Sequence, residues 1–529
     1  MKKIYIILTI LVFSISSCTD LTEQILDEKN NYQLITDTAN VETLVAPAYV
    51  FLRDLQSRNA GWLVGETTTD ECVFPTRGSN WNNADYRTLF THTYTASNSY
   101  VKNTWNSYLI GFSRCNMALY YMHQMPQTAK VIQYENEVMF VRTLAMYQLN
   151  DFFGKMPYRE YSQTAFELDP QYLNRAQILE KMISTLNEII PNMKDKKELA
   201  YGRVSKSAAK MLLAKIYLNY QVYTGTAPAF TDGTAKWDET IALCDDIINS
   251  GNFNLADDYW KMFLADNAAY AHATEAILPI IYNPAAGYGG IPWLNMTLDY
   301  NQFFGNYTSS SMWNGCCTTP EFFATWDKTD KRFQDSRLKA TTGFNLGFLY
   351  GQQFKPNGDS IYTKDTYKGY NKHGRPLNYT TTFVLANSDE EMGVRVVKYA
   401  PNSATAYPGS SENDYLYYRY ADVYLMRAEA KFRKGDTSGA LADINTLRSK
   451  RGSATLSTIT LDAIYNERGY ELYWENHRRN DMVRFNKYLT ARTEKATTDE
   501  AYTILLPVPL SAFEADKNTT QNPGYAAFK

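Results

Sequence analysis

Three amphipathic helical segments near the carboxyl end limit what this chain can fold into. Apolar residues recur at helical spacing through about 422–433, again through about 437–448, and a third time after Thr460. Gly435 stands where the first helix should end, and Thr460 followed by Asp462 is typical of a helix start. Short breaks and small alanine side chains on these segments predict helices that pack closely side by side.

The third segment also carries an unusual run of carboxylates. Glu467, Glu471 and Glu475 fall four residues apart, so they share one helix face and repel one another unless cations lie opposite. The nearby candidates for those cations are Arg468, Arg478, Arg479 and Arg484. We favour a structural ion-pair network, and the alternative is a catalytic or metal-binding carboxylate cluster.

Helical patterning also recurs earlier, through about 101–255, whereas the sequence between the two helical stretches differs. There, 275–283 and 394–400 read as strands among residues rich in Pro, Gly, Asn and aromatic side chains, and 61–98 reads as a loop. We therefore predict a mainly α fold: a tetratricopeptide-like helical superhelix with a long, loop-rich, aromatic insertion containing a few short strands. The predicted parts are a signal peptide (1–17), a tether (18–40), a helical part (41–255), the insertion (256–412) and a second helical part (413–529).

The amino terminus predicts export and lipidation. Two lysines precede an apolar run, 4–13, that is too short to span a bilayer. Ile15-Ser16-Ser17-Cys18 then resembles a bacterial lipoprotein cleavage site, which would leave Cys18 as the lipidated first residue. The alternative is an ordinary signal peptide followed by an incidental cysteine.

The sequence gives no sign of catalysis, a cofactor or a metal site. It lacks the nucleophile-elbow, HExxH, P-loop and dinucleotide-glycine motifs, and its five histidines are scattered. The five later cysteines form no disulfide framework, and Cys316-Cys317 is more typical of two small, partly buried thiols than of a vicinal disulfide. A net charge of −3 gives no reason to expect nucleic acid as a partner.

Aromatic residues make up 14% of the chain, with 42 tyrosines and 9 tryptophans, which indicates binding surfaces. An aromatic plate covers the C–H face of a sugar ring while amide and carboxylate groups bind its hydroxyls. Aromatic residues in the loops are the candidate plates, and core packing is the alternative for each. The predicted ligand-contact residues are Trp81, Asn82, Asn83, Asp85, Tyr288, Trp293, Trp313 and Asn314.

Several motifs, in order, resemble one family. They are VRTLAMYQLNDFFGKMPY (141–158), GRVSKSAAKMLLAKIYL (202–218), RYADVYLMRAEA (419–430), ALADINTLRSKRG (440–452), IYNERGYELYWENHRRNDMVRF (464–485) and QNPGY (521–525). This set resembles the SusD/RagB family of nutrient-binding outer-membrane lipoproteins of Gram-negative bacteria.

The resemblance implies a non-enzymatic, lipid-anchored protein that faces the cell exterior, captures a nutrient and delivers it to a SusC-like TonB-dependent transporter. The aromatic loops favour an oligosaccharide as that nutrient. A peptide-binding member of the same family, a lipid-anchored glycoside hydrolase and a helical-repeat adaptor that binds only proteins remain alternatives.

Overall fold

The computed structural model describes residues 35–162, 169–287, 289–304, 312–364, 374–401 and 411–528. Its α-helices are α1 (Val41–Asp54), α2 (Gly61–Thr67), α3 (Ala84–Thr91), α4 (Ser99–Met122), α5 (Ala129–Phe153), α6 (Arg175–Ile189), α7 (Lys206–Leu218), α8 (Tyr220–Thr224), α9 (Trp237–Asn249), α10 (Ala268–Ala273), α11 (Pro320–Ala324), α12 (Lys339–Thr342), α13 (Tyr420–Lys434), α14 (Thr437–Lys450), α15 (Leu461–Leu472), α16 (Arg478–Arg484) and α17 (Leu510–Ala515). Its strands are β1 (Lys155–Tyr158), β2 (Gln171–Asn174), β3 (Ala276–Ile280), β4 (Gln334–Asp335), β5 (Leu346–Leu349), β6 (Gly351–Gln352), β7 (Asn378–Tyr379), β8 (Arg395–Val397) and β9 (Tyr415–Arg419).

The longer helices pack in one continuous array. Helix α1 packs against α4 and α4 against α5, and the array continues through α6, α7 and α9. Helix α9 then packs against α13, although the insertion separates them in sequence, and α13 packs against α14 and α15. This arrangement confirms the prediction of a mainly α fold built from packed helices.

Local sequence explains where these helices begin, end and approach one another. Gly435 adopts φ 98°, a left-handed conformation that ends α13, and the Thr460 hydroxyl accepts the N–H of Ala463 at 3.1 Å to start α15. Gly111 in α4 faces the Phe51 ring of α1, where a Cβ atom would lie only 2.2 Å from the ring. The close packing of α1 on α4 therefore depends on a glycine.

The insertion folds as small sheets joined by irregular segments. Strand β3 pairs antiparallel with β9, so the end of the insertion returns to the array where α13 starts, and β4, β5 and β8 form a three-stranded sheet. Strands β3 and β8 confirm the two predicted strands. The prediction of a loop through 61–98 was wrong in part, because α2 and α3 lie there. Helix α2 is only two turns long and entirely buried, so tertiary packing stabilises a helix that its own sequence would not support.

The predicted carboxylate network is buried in the core. Glu471 contacts Arg451 at 2.7 Å, Arg419 at 2.8 Å and Arg332 at 3.1 Å, and all four side chains are fully buried. The structural interpretation is therefore confirmed, but the choice of partners was wrong, because the cations come from distant segments. The four predicted arginines pair elsewhere: Arg468 with Asp422 and Asp481, Arg478 with Asp70, Arg479 with Asp151, and Arg484 with Glu429 and Asp481.

Three tryptophans join distant parts of the chain in the core. The rings of Trp62 and Trp293 stack with centroids 4.5 Å apart and planes 5° apart. Trp474 packs edge-on against both, at 5.9 Å and 5.8 Å. This cluster, which we call the tryptophan stack, fixes α2, the insertion and the segment after α15 to one another.

The described residues test only part of the predictions about the cysteines and about the membrane. Cys316 and Cys317 are free thiols, as predicted, but they are fully rather than partly buried. Among the described helices, none is both long and apolar enough to cross a membrane. Cys18, the predicted signal peptide and most of the predicted tether lie outside the described residues.

Candidate ligand-binding site

Two of the predicted tryptophans meet at the surface where the loop before α3 touches the insertion. The ring centroids of Trp81 and Trp313 lie 6.2 Å apart, with planes inclined by 43°. The indole N–H of Trp81 donates a hydrogen bond to the Trp313 carbonyl at 3.0 Å. Both side chains are half-buried, so each ring keeps an accessible portion. We call these two residues the tryptophan pair.

A tight turn and a glycine place Trp81. Arg77 and Asn80 exchange two backbone hydrogen bonds of 2.9 Å, and Trp81 then adopts φ 56°, which turns the chain toward α3. The Trp81 ring lies directly over Gly315, where a Cβ atom would be 2.5 Å from Cζ2. Only a glycine at position 315 permits this approach. The position of the Trp81 ring therefore depends on the backbone of its own turn and on the backbone at Gly315.

Other rings and a cation pack against the tryptophan pair. Phe74 and Tyr86 pack against Trp81 with centroids 5.2 Å and 5.4 Å away. The guanidinium of Arg58 lies 4.4 Å from the Trp313 ring centroid, and its Nη1 donates to the Pro292 carbonyl at 3.4 Å. Rings fixed in this way lose little conformational entropy when a ligand binds.

Polar groups border the tryptophan pair. Exposed Asn80 donates its side-chain N–H to the Tyr300 hydroxyl at 2.9 Å, and the Lys364 ammonium lies 5.2 Å from the Tyr300 ring centroid. Burial, with the nearby Glu390 carboxylate, raises the pKa of Tyr300 to about 12. The Tyr300 hydroxyl therefore stays protonated near neutral pH and can both donate and accept a hydrogen bond.

The predicted polar partners of Trp81 divide by role. Asn82 is exposed, and its side-chain oxygen accepts a hydrogen bond from Arg87 at 3.2 Å. Asn83 caps α3 by accepting the N–H of Asp85 at 2.9 Å, and one Asp85 oxygen accepts the N–H of Ser99 at 3.0 Å. Asn83 and Asp85 thus fix the start of two helices beside the site.

Two predicted contact residues belong to the interior instead. Trp293 is 1% exposed because it stacks on Trp62, so the prediction that it contacts ligand was wrong. Asn314 is fully buried, and its side-chain oxygen accepts a hydrogen bond from Arg395 at 2.7 Å, so it too was wrongly assigned. Tyr288 lies outside the described residues.

Sequence reasoning missed three residues of this site. Arg58 lies in the turn between α1 and α2 and gives no local signal, because its role comes from its contact with Trp313 in the fold. Asn80 next to Trp81 could have been found by the same amide-beside-aromatic pattern that selected Asn82. Tyr300 is one of many aromatics in the insertion, and nothing in its neighbours distinguishes it.

The site is suited to binding a ligand that has apolar faces and hydroxyl groups at its edges. Aromatic plates cover apolar C–H surface, and the amide and phenol groups exchange hydrogen bonds with hydroxyls. Within the part of the chain that the structure describes, no group of three or more His, Cys, Asp and Glu side chains could hold a metal ion.

The chain matches known families and relatives over most of its length. A model described as the SusD family matches residues 274–503, and one described as starch-binding, associating with outer membrane, matches residues 24–218. The starch-binding protein SusD of Bacteroides thetaiotaomicron is 28% identical over 428 residues, which is 75% of this chain and 74% of that protein. A SusD-like protein of Formosa agariphila is 23% identical over 415 residues, 74% of this chain and 72% of that protein.

Solved structures share the same architecture. A SusD superfamily protein from Parabacteroides distasonis has a TM-score of 0.72 at 22% identity, covering 93% of this chain and 100% of that one. Surface glycan-binding protein A from Bacteroides thetaiotaomicron, in complex with laminarihexaose, has a TM-score of 0.67 at 20% identity, covering 92% of this chain and 99% of that one. The fold is therefore the tetratricopeptide-like helical fold of SusD-like proteins, as predicted. The chain belongs to the SusD family.

Proposed function

We propose that this chain is a non-enzymatic surface lipoprotein that captures an oligosaccharide through the tryptophan pair. The observation that carries this proposal is the pair itself: Trp81 and Trp313, brought together from distant segments, half-buried, backed by other residues and bordered by amide and phenol groups. The names of its relatives support the ligand class, since they are described as binding starch or laminarin.

Binding at this site is expected to be weak. If a sugar covers about 50–100 Å² of each of the two rings, the apolar contribution is roughly 2–5 kcal/mol at about 25 cal/mol per Å². Loss of translational and rotational freedom offsets several kcal/mol of any such gain. Rigid rings and hydroxyl hydrogen bonds must supply the remainder, so we expect dissociation constants of about micromolar to millimolar. Weak capture suits a protein that must release its ligand to a transporter.

The test is retention of the mature chain in affinity gels that contain soluble starch or laminarin. We expect retention on at least one polysaccharide, and a strong reduction of that retention when Trp81→Ala and Trp313→Ala are combined. Retention of this double variant at the wild-type level would contradict the proposal. Release of reducing ends from the polysaccharide would instead favour a glycoside hydrolase, and binding confined to peptides would favour the peptide-binding alternative.

The lipid anchor and the transporter partner need separate tests. Lipidation at Cys18 would hold the protein at the outer membrane with the tryptophan pair facing the exterior, where a SusC-like TonB-dependent transporter could receive the ligand. Replacement of Cys18 by Ala should release the protein from the membrane fraction. Co-purification of the tagged chain with a TonB-dependent transporter from detergent-solubilised outer membranes would support the partner, and a transporter-free preparation would argue against it.

A further inference from the structure

A second aromatic hollow lies at the far end of α4 from the tryptophan pair. Its volume is about 500 Å³, and it is lined by Tyr120, His123, Gln124, Glu160, Tyr161 and Ser162. Three of these residues come from the end of α4 and the turn after it, and the other three follow β1. A hollow of this size accommodates a small ligand or a few rings of a longer one.

Two of its rings form a supported plate. Tyr161 stacks on His123 with centroids 4.9 Å apart and planes 9° apart. Behind them, the guanidinium of Arg142 lies 5.6 Å from the Tyr161 centroid, and its Nη2 donates to the Arg159 carbonyl at 3.1 Å. Arg142 is 2% exposed, so a buried cation fixes the plate much as Arg58 fixes Trp313.

The polar groups of the hollow carry almost no net charge. Glu160 accepts hydrogen bonds of 2.8 Å from both Tyr158 and Lys181. Although burial opposes it, these two bonds lower the pKa of Glu160, so the carboxylate is ionised and balanced by the Lys181 ammonium. Exposed Gln124 and Ser162 add neutral donors and acceptors.

We infer that this hollow is a second saccharide-contact site, separate from the tryptophan pair. Stacked rings beside a carboxylate that is paired with a lysine, an amide and a hydroxyl suit a hydroxylated ring such as that of a sugar. The inference rests on the proposed function for its ligand class only, because the hollow shares no residue with the first site.

Helix α4 sets the distance between the two sites. At its first turn Tyr100 packs on Tyr86 at 4.8 Å, and Tyr86 packs on Trp81 at 5.4 Å. Tyr120 lies near the last turn of the same helix, about 30 Å from Tyr100 at 1.5 Å per residue, so the two sites lie toward opposite ends of α4. A short oligosaccharide can occupy only one site at this separation. A polysaccharide can reach both, and its apparent affinity then exceeds that of either site alone.

The experiment compares Tyr161→Ala with the double variant that lacks both members of the tryptophan pair. Each is run in affinity gels containing soluble starch or laminarin and titrated with the hexasaccharides of the two polymers. We expect Tyr161→Ala to weaken polysaccharide retention about fivefold while hexasaccharide affinity at the tryptophan pair changes less than twofold. We expect the double variant to keep residual retention that the addition of Tyr161→Ala abolishes. Tyr502→Ala is the matched control, because it truncates a tyrosine that is 40% exposed and belongs neither to the hollow nor to the tryptophan pair.

Each outcome decides between the two sites. Polysaccharide retention that is lost in the double variant but unchanged in Tyr161→Ala overturns the second site and leaves the proposed function standing. Loss in Tyr161→Ala alone overturns the role of the tryptophan pair and supports the second site. Equal losses in Tyr161→Ala and Tyr502→Ala overturn the inference, because they would reflect general disturbance. A wild-type chain that is retained by neither polysaccharide overturns the ligand class of both sites.

Discussion

Replacing Trp313 by alanine should weaken oligosaccharide binding without unfolding the chain. Its ring lies 6.2 Å from that of Trp81 and 4.4 Å from the Arg58 guanidinium, and it is half-buried. A sugar that covers about 50–80 Å² of the exposed part of the ring would contribute about 1–2 kcal/mol at roughly 25 cal/mol per Å². The expected loss in affinity is therefore about five- to thirtyfold. The measurement is isothermal titration calorimetry with whichever starch or laminarin hexasaccharide the wild type binds.

The same substitution should have a modest effect on stability, which a matched variant can separate from binding. The lost ring contacts amount to about 1–2 kcal/mol of unfolding free energy. Trp237 is also half-buried and has an arginine over its ring, with the Arg433 guanidinium 5.5 Å from the centroid, but it lies on α9 away from the tryptophan pair. Trp237→Ala should show a similar shift in urea unfolding and unchanged affinity. Equal affinity losses in the two variants, or collapse of the fold in Trp313→Ala, would refute the reasoning.

Three further predictions test the supports of the site and of the core. Gly315→Ala would place a Cβ atom 2.5 Å from Trp81 Cζ2, so the Trp81 ring must move. We expect glycan binding at least about tenfold weaker by calorimetry. Unchanged affinity would show that glycan binding does not need this ring position. Burial and neighbouring cations lower the pKa of His477 to about 3, whereas an unfolded histidine titrates near 6.5. The unfolded state then binds more protons in acid, so the wild type should lose about 1.5 kcal/mol between pH 6.5 and 5 relative to His477→Gln in urea titrations. Parallel losses in the two proteins would contradict this. Glu471→Gln leaves buried arginines without one of their carboxylates and should cost about 3–5 kcal/mol of unfolding free energy. Asp238→Asn removes a carboxylate that is 71% exposed and paired with a lysine that is 51% exposed, so it should change the unfolding free energy little. Similar losses of unfolding free energy in the two variants would contradict a strong buried network.

The sequence predicted the helical framework well because helix signals are local. Gly435 and Thr460 mark the ends of helices by their own conformational preferences, and the structure places them at those ends. The cations that pair with the carboxylates were predicted wrongly. Arg332 and Arg419 reach Glu471 only because the insertion and β9 fold back onto α15, and no spacing along one helix indicates that.

The candidate site was only half predictable for a similar reason. Trp81 and Trp293 both lie outside regular helices, yet one is at the surface and the other is covered by the ring of Trp62. The polar appearance of Asn314 was equally misleading, since its buried amide binds Arg395, 81 positions away. Burial of such residues depends on which distant segment covers them, and a single sequence carries no direct record of that choice.

The tryptophan stack has a consequence for how the molecule behaves after proteolysis. Trp62, Trp293 and Trp474 clamp three widely separated stretches of chain, and β3 is also held to β9 by a backbone ladder. After a single cut in an exposed segment of the insertion, the two fragments would stay in contact through the rings of the tryptophan stack. A nicked chain should therefore elute from gel filtration as one particle of undiminished size and separate into pieces only in denaturant.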